Sequence, residues 1–488
     1  MAAVHPSFGH GAGGDARGVD TPAFRRLWWA WTVSLVGDGV RALALPLFVA
    51  VQTGSALAAS AVTAAEVLPW LLCALPAGAI VDRMNPRLVV VSAHLIRAVL
   101  TGALVVAIIT GQASVPLMCA FAFALTAAET FAYPASQILM VELAGPENLH
   151  EANSRFFVVH AIGLYLAGPL AAGALFALGP ELAFALDGLT FVVAAALVLG
   201  LPNFEPKRKP GQTSRTNLAG EVADGLRLLA RTPGLRTLVS LVCTATLAIA
   251  AVNALTPLYA IKDLGMQPSF VASLLIIGSL GTLAATRVIV PLVRRWPDGA
   301  LLVASMAVIA AGMILFGALG SVVAALVANA LIGIGVGAFN VLSAARRQHL
   351  TPPYAMGRVS GAYRMVAHGL MPIGAGLAGP LAVATSLGSV FVIAGILVLV
   401  VLAALTVPLL RTGVPVPPQP IEPARDGAAV PDQARPDQAR GAASSAASAD
   451  GTRNSAPAAS RPVESGRATS SRQQPAHRSV DGESRHRA

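Results

Sequence analysis

The fold is decided by a ten-residue stretch, Ile162-Gly163-Leu164-Tyr165-Leu166-Ala167-Gly168-Pro169-Leu170-Ala171. It returns as Ile373-Gly374-Ala375-Gly376-Leu377-Ala378-Gly379-Pro380-Leu381-Ala382, a separation of 211 residues (373 − 162) with eight of ten positions identical. A repeat at this distance indicates two related halves, each far larger than the unit of a solenoid. Both copies lie in long apolar runs, and proline and glycine are tolerated there in membranes because neighbouring helices satisfy the freed backbone groups. Duplicated bundles of such helices are typical of transporters.

The composition is that of a membrane protein. Of 488 residues, 55% are hydrophobic and 12% are charged, whereas an ordinary soluble domain carries roughly 25% charged residues. The net charge of +10 comes from basic residues scattered through loops and a tail, without the basic helix or aromatic-interleaved patch of a nucleic-acid-binding protein. We therefore expect the chain to lie in a lipid bilayer and to have no nucleic-acid partner.

The sequence lacks the patterns of metal, disulfide or covalent chemistry. Cys73, Cys119 and Cys243 all lie in apolar runs, without the spacing of a disulfide framework or a zinc site. No nucleophile–base constellation is evident, so we expect neither an enzyme nor a bound cofactor or metal. The first twenty residues lack the apolar core of a cleavable signal peptide.

Twelve apolar segments each come close to the ~20 residues that cross ~30 Å of hydrocarbon. In the first half they span 24–50, 56–80, 88–110, 115–140, 156–178 and 182–201. In the second half they span 235–261, 270–293, 299–319, 321–343, 359–385 and 389–410. The predicted fold class is therefore an all-α integral membrane protein, with twelve transmembrane helices in two pseudo-symmetric six-helix halves. An even number of helices places both termini on one side.

Basic residues are concentrated in alternate loops. They are Arg25, Arg26, Arg83, Arg87, Lys207, Arg208, Lys209, Arg215, Arg227, Arg231, Arg294, Arg295, Arg346, Arg347 and Arg358. Cytoplasmic loops carry the excess of Lys and Arg in membrane proteins. We therefore expect both termini to be cytoplasmic and the protein to reside in the cell (inner or plasma) membrane.

The segment boundaries predict five regions. They are a cytoplasmic N-terminal segment (1–23), an N-terminal six-helix bundle (24–201), a cytoplasmic linker (202–234), a C-terminal six-helix bundle (235–410) and a cytoplasmic tail (411–488). The tail is rich in Pro, Ala, Ser and Arg and repeats Pro-Asp-Gln-Ala-Arg over 431–440. Such a segment cannot bury enough apolar surface to fold, so we predict that it is disordered.

The loop after the second segment carries a charged motif, Gly78-Ala-Ile-Val-Asp82-Arg83-Met-Asn85-Pro86-Arg87. The spacing resembles the signature of the major facilitator superfamily, although Asn85 stands where that family usually has glycine. The resemblance implies a cytoplasmic gate, in which the carboxylate pairs with a basic group or a helix N-terminus of the other half when that side is closed. The alternative is a solvated turn that merely follows the positive-inside rule. The gate candidates are Gly78, Asp82, Arg83, Arg87 and Arg358.

The repeated stretch resembles the antiporter signature of drug-efflux members of this superfamily, a Gly-Pro followed by glycines in the fifth helix. Ala172 replaces one of the expected glycines. Small residues let helices approach closely, and proline leaves one carbonyl without its donor. The resemblance implies an efflux-type member, whereas the second copy favours a role in packing alone. The residues of this helix-packing motif are Gly163, Gly168, Pro169, Gly173, Gly374, Gly379 and Pro380.

Further stretches resemble the branch that includes macrolide efflux proteins and the enterobactin exporter. They are Gly37-Asp38-Gly39 with Ala44-Leu45-Pro46-Leu47, Leu75-Pro76-Ala77-Gly78, Tyr133-Pro134-Ala135-Ser136 and Met356-Gly357-Arg358-Val359-Ser360. The resemblance covers about residues 24–410. It implies transport and indicates no particular substrate.

Charged residues inside the predicted helices are functional candidates by default. The first half offers Glu66, Asp38 and Glu129 as proton-coupling candidates, with Arg41 and Arg97 as charge partners. Asp38 and Arg41 lie three residues apart on one helical face. Arg97 and Glu129 come out level at a rise of 1.5 Å per residue, so either pair could be purely structural. Glu66 has no evident partner, and we expect burial to hold it protonated until the cavity wets.

Other polar residues in the apolar segments receive simpler interpretations. We expect His94, His160 and His368 to serve mainly in packing, although histidine can titrate near neutral pH. Asp187 lies near the outer end of the sixth segment. We expect its side chain to extend toward the interface.

The expected function is that of a secondary transporter of major facilitator type. It would export small amphipathic organic molecules, drugs or natural products, by alternating access and proton antiport. Its partners would be the substrate, protons and lipid, and we take the chain to act as a monomer. An exporter of a siderophore or of a dedicated secondary metabolite is an alternative, as is a membrane receptor or scaffold that does not transport. The sequence determines neither the substrate nor the coupling ion.

Overall fold

The computed structural model describes residues 18–203, 218–352 and 355–411, which form α-helices joined by short turns. The helices of the first half are α1 (Pro22–Thr53), α2 (Ala56–Leu72), α3 (Ala74–Val81), α4 (Pro86–Ile109), α5 (Val115–Ala144), α6 (Leu149–Ile162), α7 (Gly168–Phe176) and α8 (Pro180–Leu199). They are followed by α9 (Leu218–Arg231), α10 (Pro233–Lys262), α11 (Ala272–Val293), α12 (Asp298–Ala318), α13 (Val322–Leu350), α14 (Met356–Gly369), α15 (Met371–Ala384) and α16 (Leu387–Arg411).

The prediction of an all-α membrane protein is confirmed. Eleven helical stretches among the described residues are long and apolar enough to cross a membrane. The predicted second segment is the remaining one, and it consists of α2 and α3, which meet at Cys73. Twelve segments are therefore consistent with the structure. The predicted tail lies beyond Arg411, outside the described residues.

Proline and a polar cap begin several helices. Pro22 follows Thr21, whose hydroxyl accepts a hydrogen bond from the Phe24 amide at 3.2 Å. Pro86 follows Asn85, whose side chain accepts from the Arg87 amide at 3.0 Å. Proline suits the first helical position because its missing N–H would have no intrahelical partner there. Asn85 has φ −67°, a backbone conformation that any residue can adopt. The turn therefore does not require the glycine of the family pattern.

Both copies of the repeated stretch lie at irregular points of long helices. In the first copy, Gly163–Ala167 forms a π-helical turn between α6 and α7. Three residues before the second copy, the chain breaks at Leu370 between α14 and α15, and Pro380 of that copy lies inside α15. Such interruptions occur where proline removes a backbone donor from the helical ladder.

The glycines of the first copy let the π-helical turn and α7 approach α1. A Cβ at Gly168 would overlap Cα of Gly39, and a Cβ at Gly39 would lie 2.7 Å from the Gly163 carbonyl oxygen. In the second copy, a Cβ at Gly374 would overlap the Leu247 carbonyl of α10, which occupies in the second half the place of α1 in the first. These approaches favour the packing interpretation of the motif.

Gly168→Ala should therefore destabilise the protein. The added methyl meets backbone of α1, which cannot move aside, and overpacking of this kind costs about 1–3 kcal/mol. The matched control is Gly102→Ala on α4, where a Cβ would meet nothing within 4 Å. Thermal unfolding of the two variants in detergent checks this, and equal midpoints would contradict it.

The two halves pack against each other at the end of the bundle opposite the linker, which we call the far end. A Cβ at Gly379 of α15 would lie 2.7 Å from the Ala56 carbonyl at the start of α2. A Cβ at Gly173 of α7 would lie 2.6 Å from the Ser269 carbonyl just before α11. One large core cluster joins first-half residues toward this end with residues of the second half.

At the other end, where α8 stops and α10 begins, each half has its own core. One described cluster draws all its members from residues 19–201, and another draws all of its members from residues 229–362. We call this the linker end. A shared core at the far end and separate cores at the linker end describe two halves that meet at the far end and are apart at the linker end.

The predicted linker contains an additional helix, α9. Its apolar residues pack with those at the start of α10 and on α14. A Cβ at Gly225 would lie 2.5 Å from the Arg358 carbonyl, so α9 contacts the backbone of α14 directly. Residues 204–217 of the linker lie outside the described part of the chain.

Candidate functional site

Five charged side chains from four helices of the first half converge inside the bundle. We call them the charge cluster: Asp38 and Arg41 on α1, Glu66 on α2, Arg97 on α4 and Glu129 on α5. All five were candidates from the sequence. The structure brings them together into one connected network.

Asp38 lies between the two arginines. It forms an ion pair with Arg97, and its Oδ1 lies 3.4 Å from Nη2 of Arg41. All three side chains are buried. The predicted pairing of Asp38 with Arg41 is confirmed.

Arg41 also holds the other two acids. Its Nη1 lies 2.7 Å from Oε1 of Glu66, and its Nη2 lies 3.2 Å from Oε2 of Glu129. The prediction that Glu66 lacks a partner is therefore wrong, because α2 packs beside α1 and brings Glu66 to a residue 25 positions away. Arg97 reaches Glu129 at 3.7 Å, which confirms the second predicted pair.

The cluster contains more acids than bases. Three carboxylates face two guanidinium groups, so the fully ionised cluster carries a net charge of −1. Burying an uncompensated charge is costly, and such sites bind a proton instead. The arrangement can therefore hold one exchangeable proton.

Glu129 is the acid most open to solvent. Its side chain is 26% exposed, compared with 17% for Glu66 and 8% for Asp38. Both of its contacts, at 3.2 and 3.7 Å, are longer than the 2.7 Å contact of Glu66. A proton can reach Glu129 with the least disturbance of the network.

A small cavity lies between the charge cluster and the linker end. It has a volume of about 40 Å³ and is lined along α1 from Leu27 to Asp38, with Glu129 among the residues on its wall. A single water needs roughly 10–15 Å³ measured in this way. The cavity therefore has room for a few waters beside Asp38 and Glu129.

Aromatic side chains lie beside this cavity, on the linker side of the acids. Tyr133 follows Glu129 by one turn and packs against Trp31 and Trp70, with ring centroids 5.6 and 6.3 Å apart. Trp70 in turn faces His368 of the second half at 6.4 Å. The sequence did not predict this group, because its members are distant in the chain. The only indication was that Tyr133 follows Glu129 by one helical turn.

Asp187 does not extend toward the interface as the sequence predicted. Its side chain is completely buried, and neither carboxylate oxygen has a hydrogen-bond partner in the described part of the chain. The reason for the error is that position along α8 indicates depth, whereas the facing direction is set by the packing of α8 against α1 and α4.

The gate candidates remain within their own halves in this conformation. Arg87 donates hydrogen bonds to the Leu199 carbonyl and the Asn203 side chain at the end of α8. Arg358 lies 3.9 Å from Asp224 of α9. Asp82 and Arg83 are exposed and form no ion pair among the described residues, and a Cβ at Gly78 would meet nothing within 4 Å.

Two related helical bundles that close at one end, part at the other and bury a protonatable cluster define a membrane transporter of the alternating-access class. The chain belongs to the Major Facilitator Superfamily, whose family model matches residues 27–375.

Its relatives include drug pumps. The multidrug efflux pump Tap of Mycolicibacterium fortuitum is 30% identical over 396 residues, which cover 78% of this chain and 91% of the pump. The MFS-type transporter y4rN of Sinorhizobium fredii is 28% identical over 400 residues, covering 79% of this chain and 95% of that protein.

Solved structures share the fold. The nucleoside transporter NupG matches with a TM-score of 0.65 at 14% identity, over 78% of this chain and 98% of that chain. A bacterial homologue of the human lysosomal transporter Spinster, in an inward-facing and unoccupied conformation, matches with a TM-score of 0.61 at 14% identity, over 79% of this chain and 96% of that chain.

Proposed function

We propose that this protein exports amphipathic organic molecules from the cytoplasm in exchange for protons. The observation that carries the proposal is the charge cluster, with its three carboxylates and two guanidinium groups beside a cavity whose wall includes Asp38 and Glu129. We also propose that the moving parts are two bundles, 24–201 and 235–410, which the 202–234 linker joins.

In our proposal the linker end faces the cytoplasm. Basic residues are concentrated in the loops at this end, and cytoplasmic loops carry the excess of Lys and Arg. The structure is then the cytoplasm-open state, in which a substrate can enter between the halves. Alternating access would close this end and part the contacts that Gly173 and Gly379 make at the far end.

Proton coupling is assigned to Glu129, with Asp38 and Glu66 as the acids that share its arginines. When Glu129 is protonated, the two remaining carboxylates balance Arg41 and Arg97 and the cluster is neutral. When Glu129 is ionised, the excess negative charge favours the state in which the cavity is wet. The proton thus biases the equilibrium between the two conformations.

The proposed substrate class rests on two supports. Relatives at 30% identity are multidrug efflux pumps. Trp31 and Tyr133 line the cavity beside the cluster, and Trp70 packs against Tyr133; such aromatic surfaces suit the apolar part of an amphipathic molecule. The test is expression in an efflux-deficient bacterial host. Cells with the protein should accumulate less of an amphipathic dye such as ethidium, and a protonophore should abolish the difference; equal accumulation across a panel of dyes would contradict the proposal.

The proposed orientation predicts the outcome of a fusion experiment. A reporter enzyme that works only in the cytoplasm, joined after Leu410, should be active, because α16 ends at the linker end. A reporter that works only outside the cytoplasm should be silent at the same position. Activity of the second reporter with silence of the first would overturn the orientation.

The gate prediction concerns Asp82. Asp82→Asn should slow transport while leaving the affinity for substrate almost unchanged, because Asp82 lies exposed at the linker end, remote from the charge cluster. The size expected for loss of one gating contact is about five- to tenfold in rate. Transport kinetics measure it, with Asp263→Asn in the exposed loop after α10 as the control. A large loss of affinity at normal turnover would contradict the gate role.

A further inference from the structure

One acid in the first half has no place in the proposed exchange. Asp187 is completely buried, and both of its carboxylate oxygens lack hydrogen-bond partners in the described residues. The nearby Thr190 hydroxyl donates to the Asp187 backbone oxygen at 2.6 Å and so does not serve the carboxylate. An isolated carboxylate in such surroundings carries a proton, since an unpaired buried charge is very costly.

The helices around Asp187 bring charged groups close to it. α8 packs against α1, α4 and α7. The titratable and charged residues in the inner parts of the facing helices are Asp38 and Arg41 of α1 and His94 and Arg97 of α4; Arg25, Arg26 and Arg87 lie at the linker end of these helices, and α7 has none. A Cβ at Gly37 would lie 2.7 Å from Oδ1 of Asp187, so Asp187 lies directly against the backbone next to Asp38.

Arg97 already touches the same face of α8. Its guanidinium lies over the Phe191 ring, 3.9 Å from the centroid. Phe191 follows Asp187 by four residues, and residues four apart are neighbours on a helix surface, about 5–6 Å apart. The Nε groups of Arg97 and Arg41 are also buried donors without acceptors in the described residues. Arg97 therefore contacts a residue that lies one helical turn from Asp187 on α8.

We propose that Asp187 is a second proton-binding acid, which replaces Asp38 as the partner of Arg97 during the transport cycle. In this structure Asp38 is ionised and Asp187 is protonated. When the proton of Asp187 passes to Asp38, the O–H bond on Asp187 breaks and an O–H bond on Asp38 forms, while the Arg97 guanidinium turns toward α8. The net charge of the group does not change, and Arg97 always faces one carboxylate. This inference deepens the proposed proton exchange and rests on it.

Infrared spectroscopy of the purified full-length protein tests the protonation state without any substrate. The difference between the infrared spectra of the wild type and of Asp187→Asn should show the C=O stretching band of one protonated carboxylic acid. Asp38→Asn should remove the same band, because Arg97 then draws the ionised Asp187 as its partner. Asp263→Asn should leave the band in place. An unchanged spectrum in Asp187→Asn, or persistence of the band in Asp38→Asn, would overturn the proposal.

A double-mutant cycle in thermal unfolding gives an independent readout. Asp187→Asn alone should shift the midpoint little, since a neutral acid is replaced by a neutral amide. Asp38→Asn should still fold, and the double variant should lose more stability than the sum of the two single variants, because Arg97 then keeps only Glu129. Additive shifts, or an Asp38→Asn protein that cannot fold although Asp187 is intact, would contradict the exchange of partners. The infrared band and the unfolding midpoints are measured without transport. They therefore test the exchange of partners even if the protein proves not to export the proposed substrates.

Discussion

Arg41→Met should prevent most of the protein from reaching a stable folded state. Arg41 contacts Glu66 at 2.7 Å, Glu129 at 3.2 Å and Asp38 at 3.4 Å, and its side chain is buried. Removing it leaves three carboxylates around one guanidinium. Removing one partner from a buried ion pair costs about 3–5 kcal/mol. The expected result is a strong loss of folded protein in the membrane and a lower unfolding midpoint in detergent.

Two further variants separate charge from packing at this position. Arg236→Met removes an exposed arginine at the linker end of α10 and should change little. The double variant Arg41→Met/Glu66→Gln deletes one charge of each sign and restores the wild-type net charge, so it should recover part of the lost stability. If Arg41→Met proves as stable as Arg236→Met, the cluster is not held by Arg41.

Glu129→Gln should uncouple transport from the proton gradient. Glutamine has the shape of protonated glutamate, and the acid on the cavity wall can then neither bind nor release a proton. The variant should still bind and exchange substrate but should not accumulate it against a gradient. A difference of about one pH unit supports roughly a tenfold concentration ratio when one proton moves per substrate. The variant should lose that ratio.

Glu66→Gln is the matched control, since it makes the same chemical change within the same cluster. The sequence alone singled out Glu66 as the coupling acid, but the structure pairs it with Arg41 and omits it from the cavity wall. We therefore expect Glu66→Gln to lower stability and to keep some uphill transport. The opposite ranking of the two variants would return the coupling role to Glu66.

The repeated stretch and the apolar segments predicted the fold correctly for a physical reason. Each helix that crosses a membrane satisfies its own backbone, so length and hydropathy largely determine whether a segment forms such a helix. The repeat adds the relation between the halves. Its glycines are found at backbone approaches, such as Gly168 against Gly39. The helix α9 escaped prediction because the linker was judged by its polarity, whereas α9 packs an apolar face on α14.

The charge cluster was predictable in its members and only partly in its connections. Asp38 with Arg41 follows from spacing on one helix, and Arg97 with Glu129 follows from equal depth. The partner of Glu66 depends on how α2 crosses α1, and the burial of Asp187 depends on how α8 is rotated. The depth and spacing of residues along a helix do not reveal the crossing angle between two helices or the rotation of a helix about its axis, because both are set by the packing of neighbouring helices.

The most direct test of the account is transport by the purified protein in proteoliposomes with an imposed pH gradient. The reconstituted wild type should move an amphipathic dye such as ethidium uphill when protons flow in the opposite direction, and a protonophore should stop it. Glu129→Gln should exchange the dye between the two sides at a similar rate with or without the gradient. Uphill transport by Glu129→Gln at the wild-type level would show that the proton does not bind where we place it.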